Sequence, residues 1–305
     1  MSKMKFFVIA VLAILPCVTA CKGNKSVETD WQKVIASYKD DGKAVNYHEL
    51  AKLNLALAET GRLAEDVFKY TQAGSAGLIP EWNRTNEVGT VLGDVYWSMG
   101  HVAYAQRMYF EALVVGENER DPYLLTRLVQ TNLVLGAYRV AEKYISILEN
   151  DGFDCSRYKP LLYDDSAVDS DPELGPKRRC VPIKDHISLE EGLEEDLKVI
   201  IRQNPSYRNA VDYLGVLYLL ECNMDGFRGF LDEFYGTEAL PKLPKAFAEA
   251  ACMLSQLESG YWKKVGVDKR MWNDYRDFKT RIETRLSLDK YKGTFWYYIL
   301  RANNQ

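Results

Sequence analysis

The feature that most constrains this 305-residue chain is a pairing of apolar stripes. Leu50, Leu53 and Leu57 are followed across Gly61 by Leu63, Val67 and Tyr70. Val88, Leu92, Val95 and Met99 lead to Gly100, and Val102, Ala105, Tyr109 and Leu113 follow it. Leu124, Leu128 and Leu135 lead to Gly136, with Val140, Tyr144 and Ile147 beyond. Steps of three and four trace one face of an α-helix, and a glycine at the junction suits a helix C-terminus. Strand-like alternation is almost absent, so the spacing predicts an all-α chain of stacked helical hairpins. Asn46 with Glu49, and Ser188 with Glu191, fit capping boxes, and Asp121 stands before Pro122 at a helix start.

The pairs repeat. Leu92-Gly93-x-x-Tyr96, Gly100, Ala105-x-x-x-Tyr109 and Ala112 resemble the tetratricopeptide (TPR) pattern, with Gly89 in the place of its first-helix Trp. A second copy runs through Pro205 and Leu214-Gly215-x-x-Tyr218, with Val211 in the Trp position and Phe227 in place of the small second-helix residue. Degenerate copies fit Leu128, Gly136 and Ala141, and Leu53, Leu57, Gly61 and Tyr70. The resemblance implies a TPR-like α-α hairpin solenoid with a groove for a protein or peptide. Asn54, Tyr96, Asn132 and Tyr218 occupy comparable first-helix positions in it. The run Phe295-Trp296-Tyr297-Tyr298 resembles the aromatic tail of TPR-like envelope lipoproteins and is expected to cap the solenoid's end.

The first 20 residues read as an export signal, with Lys3 and Lys5 before an apolar run from Phe6 to Leu15. That run falls short of the roughly 20 residues needed to span a bilayer. It ends at Val18-Thr19-Ala20-Cys21, which resembles the lipobox of bacterial lipoproteins. The resemblance implies acylation of Cys21, palmitate included, and anchoring in the membrane. Lys22, where lipoproteins kept in the inner membrane usually carry Asp, implies the outer membrane on its periplasmic or surface side. Residues 21–30 would form a polar tether reaching about 30 Å. The expected organisation is then signal 1–20, tether 21–30, hairpins 31–150, a polar irregular insertion 151–187, and hairpins with capping helices 188–305.

Charge and composition narrow the function. The net charge of −4, with 39 basic and 43 acidic residues, supplies no basic field for nucleic acid. Three histidines, none at a ligand spacing, give no expectation of a metal site or a cofactor. Asp165, Asp169, Asp171 and Glu173 lack the spacing and central glycine of an EF-hand loop. No catalytic or nucleotide-binding signature occurs, so the chain is not expected to be an enzyme. Cys155 and Cys180 flank the insertion. A disulfide between them would stabilise by roughly 3 kcal/mol; the alternative is two unpaired thiols. Cys222 and Cys252 read as small core residues. Among the aromatics, Trp82 and Trp262 are the candidate ligand contacts. The expected function is a membrane-anchored scaffold that binds a protein or peptide, with cell-surface glycan binding as the alternative.

Overall fold

The computed structural model describes residues 29–40, 46–183 and 192–302. Cys21, most of the tether, and the capping box at Ser188 lie outside these residues. The described residues are helical, without a strand: α1 (Trp31–Ser37), α2 (Tyr47–Glu59), α3 (Leu63–Asp66), α4 (Asn86–Ser98), α5 (Val102–Val115), α6 (Pro122–Val134) and α7 (Tyr138–Asn150) form the first part. Two short helices, α8 (Asp165–Ser170) and α9 (Leu174–Arg178), follow. The remainder is α10 (Gly192–Gln203), α11 (Arg208–Leu220), α12 (Met224–Phe234), α13 (Lys245–Leu254), α14 (Tyr261–Lys264), α15 (Lys269–Glu283) and α16 (Phe295–Ala302).

The junctions form as the sequence chemistry requires. Gly100 adopts φ 86°, which lets His101 N–H donate to Tyr96 O at 2.9 Å and closes α4. Gly61 and Gly136 do the same for α2 and α6. Asn46 accepts from the backbone of His48 and Glu49, and Asp121 from Tyr123 and Leu124, so both helix starts are satisfied.

Chain order and packing order differ. α2 packs against α4 on one side, while α2 and α3 together meet α11 on the other, and α3 also meets α13. The first hairpin therefore sits between the two halves of the chain. One apolar cluster joins Leu50–Leu78 to Leu197–Ile299, and a second joins Trp97, Tyr109 and Leu128 to Val168 and Leu174. Hairpins from 31–150 and helices from 188–305 thus share one apolar cluster. The first hairpin's apolar faces are buried mainly by the C-terminal helices, with Phe68 lying 5.3 Å from Phe295 and 5.0 Å from Tyr298 between ring centroids.

The stretch 151–187, expected to be irregular, folds as α8 and α9 in its described part, with α9 seated on α6. Few apolar side chains suffice, because Val168, Leu174 and Cys180 are fully buried. Its acids pair locally: Arg178 bonds Asp165 at 2.5 Å and Asp169 at 3.1 Å.

At the C-terminus, Trp296 is buried and its indole N–H donates to Glu249 O at 2.7 Å, while Tyr298 OH donates to Leu220 O at 2.6 Å. Glu249 also accepts from Phe295 N–H at 2.7 Å, which satisfies the start of α16.

Candidate binding cleft

α4 and α6 lie on either side of α5 in sequence and turn one face each toward an open cleft of about 1000 Å³. Asp94 and Trp97 stand one turn apart on α4, and Arg127 and Gln130 one turn apart on α6. Glu59 closes the cleft from the end of α2, and Tyr158, Glu173 and Lys177 from the segment beyond α7.

Asp94 is the centre of a hydrogen-bonded set. Its Oδ1 accepts from Tyr109 OH at 2.7 Å and Tyr123 OH at 2.5 Å, with Arg127 Nε 3.5 Å away. Burial pushes the Asp94 carboxyl up from its usual range, opposed by the Arg127 charge and the two hydroxyls. The same burial pushes both tyrosine hydroxyls up, so they remain donors. Arg127 keeps its charge well above the usual range because burial is outweighed by Tyr109, Tyr123 and Asp94.

Arg127 Nη1 donates to Gln130 Oε1 at 3.0 Å, and Gln130 Nε2 donates to Glu173 Oε1 at 3.0 Å and Tyr158 OH at 3.2 Å. Arg157 completes the rim by donating to Glu173 Oε2 at 2.7 Å and covering the Tyr158 ring. Chains of this kind fix side-chain positions before any ligand arrives.

Lys177 reaches from α9 to the end of α4. Its ammonium donates to Trp97 O at 2.5 Å and to Tyr207 OH, and stands 5.2 Å from the Trp97 ring centroid. A cation suits the terminal carbonyls of a helix, although burial pushes Lys177 down to about 8. Arg127 lies 5.9 Å from the same ring, so two cations rest against Trp97.

The residues singled out from sequence lie elsewhere. Trp82 lies over Gly89, where a Cβ would come 2.8 Å from the indole, so the missing helix side chain leaves room for that ring. Trp262 stacks on Trp272 at 5.2 Å and 9°. Asn54 and Asn132 are buried and serve backbone carbonyls, Gly77 O at 2.9 Å and Leu128 O at 2.7 Å. Tyr218 is buried and Tyr96 half-buried, and neither lines the cleft.

Of the two readings left open for Cys155 and Cys180, the structure has the unpaired thiols: both are free and buried, each in a different apolar cluster. Burial pushes both up, which keeps them protonated and apolar. Cys222 is also reassigned. It is half-buried and occupies the left-handed position that ends α11, at φ 55°. Among the described residues, no group of three His, Cys, Asp or Glu is placed to hold a metal ion, and no helix is long and apolar enough to cross a membrane.

Sequence reasoning missed Asp94, Arg127, Gln130 and Lys177. A signal was present, since the positions matching Asp94 and Trp97 in the second Leu-Gly-x-x-Tyr copy are Val216 and Leu219. A carboxylate and an indole where the other copy is aliphatic mark a face with different company.

No curated protein and no solved structure matches the chain. Over residues 25–302 it matches DUF6057, described as a family of unknown function, and the chain belongs to that family.

Proposed function

We propose that this chain is a membrane-anchored interaction scaffold of the bacterial envelope. In this reading the hairpins form a TPR-like solenoid, and the cleft along α2, α4 and α6 takes a segment of a protein or peptide. Acylated Cys21 supplies location, with the outer membrane as its address. The mechanism is binding, without a chemical step.

The observation that carries the reading is the cleft wall: Asp94, Arg127 and Gln130 are held in place by Tyr109, Tyr123 and Tyr158 before a ligand enters. A prearranged polar wall lowers the ordering cost of binding. Thr29, Asp30 and Trp31 also border the cleft, so a tether from residue 21 would hold its mouth close to the membrane. The glycan alternative needs a flat ring open on one face. Trp97, which lines the cleft, is 6% exposed and has Arg127 and Lys177 against its ring, which favours the protein or peptide.

A photoreactive amino acid at Phe153, a half-open position on the cleft rim, tests this in cells against one at Phe110 on the outer side of α5. The expected result is a discrete protein adduct from position 153 and none from 110, together with palmitate label lost in Cys21→Ser. Equal adducts from both positions, or selective glycan binding by the purified chain, would reject the scaffold.

A further inference from the structure

Buried polar side chains find partners in folded proteins, and those that do not call for an explanation. Among the described residues, the sealed polar side-chain atoms without a hydrogen bond belong to His48, Asp212 and Tyr213, and Asp212 Oδ1 has Arg208 Nη2 2.8 Å away as an ion pair. The cleft wall holds a different kind. On Asp94 both hydroxyl bonds and the approach of Arg127 fall on Oδ1, which leaves Oδ2 unengaged. Arg127 uses Nε and Nη1, leaving Nη2. Trp97 is engaged through its ring and its backbone carbonyl, leaving the indole N–H. None of these three atoms is among the sealed ones, and all three residues line the cleft.

The three side chains adjoin one another on the cleft wall. Arg127 and Trp97 are 9% and 6% exposed, so their unengaged groups belong to side chains that are otherwise shut in. Asp94 and Trp97 are neighbours on one helix face. The Arg127 guanidinium spans them, 5.9 Å from the Trp97 ring centroid and with Nε 3.5 Å from Asp94 Oδ1. The patch offers two fixed N–H donors and one carboxylate oxygen. A lone anion would meet Asp94, and a lone cation would meet Arg127. One residue of an extended chain suits the set: its N–H and C=O point to the same side, so the carbonyl, with two lone pairs, can take the donors while the N–H donates to the carboxylate.

We infer that the cleft binds an extended polypeptide by holding one residue's main chain, its C=O on the N–H groups of Arg127 Nη2 and Trp97 Nε1 and its N–H on Asp94 Oδ2. The inference rests on the scaffold reading and deepens it, because a main-chain clamp accepts many side-chain sequences. Residues outside the clamp, such as Phe153 and Arg157 on the rim, would then set preference.

The test uses the purified full chain with ¹⁵N-labelled indoles, the Trp97 signal being assigned from Trp97→Phe. The probes are penta-alanine blocked at both ends, the same peptide N-methylated at every amide, and an N-acetylglucosamine trimer. The expected result is a shift of the Trp97 indole signal with the first probe alone. Affinity should weaken at least about tenfold in Asp94→Asn, which keeps a carbonyl for the two tyrosines, and in Arg127→Lys. If Asp94→Asn does not fold, the N-methylated arm on the unmodified chain still decides. Equal binding of the N-methylated peptide, or a Trp97 signal unmoved while peptide binds elsewhere, overturns the clamp and leaves the scaffold reading standing. A response to the sugar and not to peptide overturns both.

Discussion

In α4, the ring that lies over Gly93 is Tyr109 from the neighbouring α5, and a Cβ at residue 93 would come 2.4 Å from it. In α11, the ring over Gly215 is Phe247 from α13, two helices further along the chain, at 2.2 Å from a would-be Cβ. Both helices carry Leu-Gly-x-x-Tyr, and both use the glycine to admit an aromatic ring. The rings differ in what they hold. Tyr109 passes its hydroxyl to Asp94 and so shapes the cleft, whereas Phe247 meets Phe227 at 5.5 Å and Phe230 at 5.6 Å in a dry cluster. α11 is buried along its whole length from Ala210 to Leu220 because α2, α3, α12 and α13 all pack on it. α4 keeps one side open. A repeated pattern therefore fixes how close two helices come, while the neighbours decide whether the remaining face becomes core or site.

The comparison can be broken most sharply at its glycines. Gly215→Ala forces a methyl into a ring caged by two others, and should cost about 2–3 kcal/mol after the roughly 1 kcal/mol that alanine gains in a helix. Urea unfolding of the purified chain measures it. Gly93→Ala should cost less, about 1–2 kcal/mol, because Tyr109 can shift toward the open cleft. It should nonetheless weaken ligand binding, which Gly215→Ala should not. Equal losses of stability, with binding unaffected in both, would erase the distinction between the two regions.

The dry region is closed by Glu249, whose carboxyl burial pushes up to about 7 despite Lys245 at 3.5 Å. Below pH about 4.5 the group is protonated in both folded and unfolded chains. Between about 4.5 and 7 the folded chain retains a proton that the unfolded chain has lost, so this residue lowers stability as pH rises through that window. Glu249→Gln should remove that fall and be more stable than the parent at pH 8, by on the order of 1–2 kcal/mol. Melting temperatures at pH 4.5 and 8 for the two proteins would show it; parallel profiles would count against a buried, proton-retaining Glu249.

The smallest effect concerns the helix ends. Gly100 ends α4 and Cys222 ends α11 at the corresponding position, both left-handed, at φ 86° and 55°. A side chain there costs roughly 1 kcal/mol. Cys222→Gly should therefore stabilise by about that amount, and Gly100→Ala should destabilise by at least as much, since its Cβ would meet Cys180 at 3.0–3.1 Å.

Much of the local structure was legible because helix periodicity and left-handed glycines are local properties. The pairs around Gly61, Gly100 and Gly136 needed no knowledge of distant chain. The insertion of α2 and α3 between the two halves was not legible. A helix apolar on all sides, such as α11, announces that something covers it without saying what. The folded character of 151–183 was hidden for a similar reason, since Val168, Leu174 and Cys180 are few among many polar residues. The site was scattered from Glu59 to Lys177 and came together only through the stacking of α2, α4, α6 and α9. Trp82 and Trp262 attracted notice as large aromatics, yet a large ring near a glycine or another ring is more readily buried than offered to a ligand.

The central claim is that the open side of α4 binds while its counterpart α11 only supports. Hydrogen exchange of the full chain, alone and saturated with a binding peptide, tests this directly. Slowed exchange confined to the turns at Asp94–Trp97 and Arg127–Gln130 and to the rim at 153–158 is the expected result. Slowing centred on α11 to α13 with the cleft unchanged would contradict it.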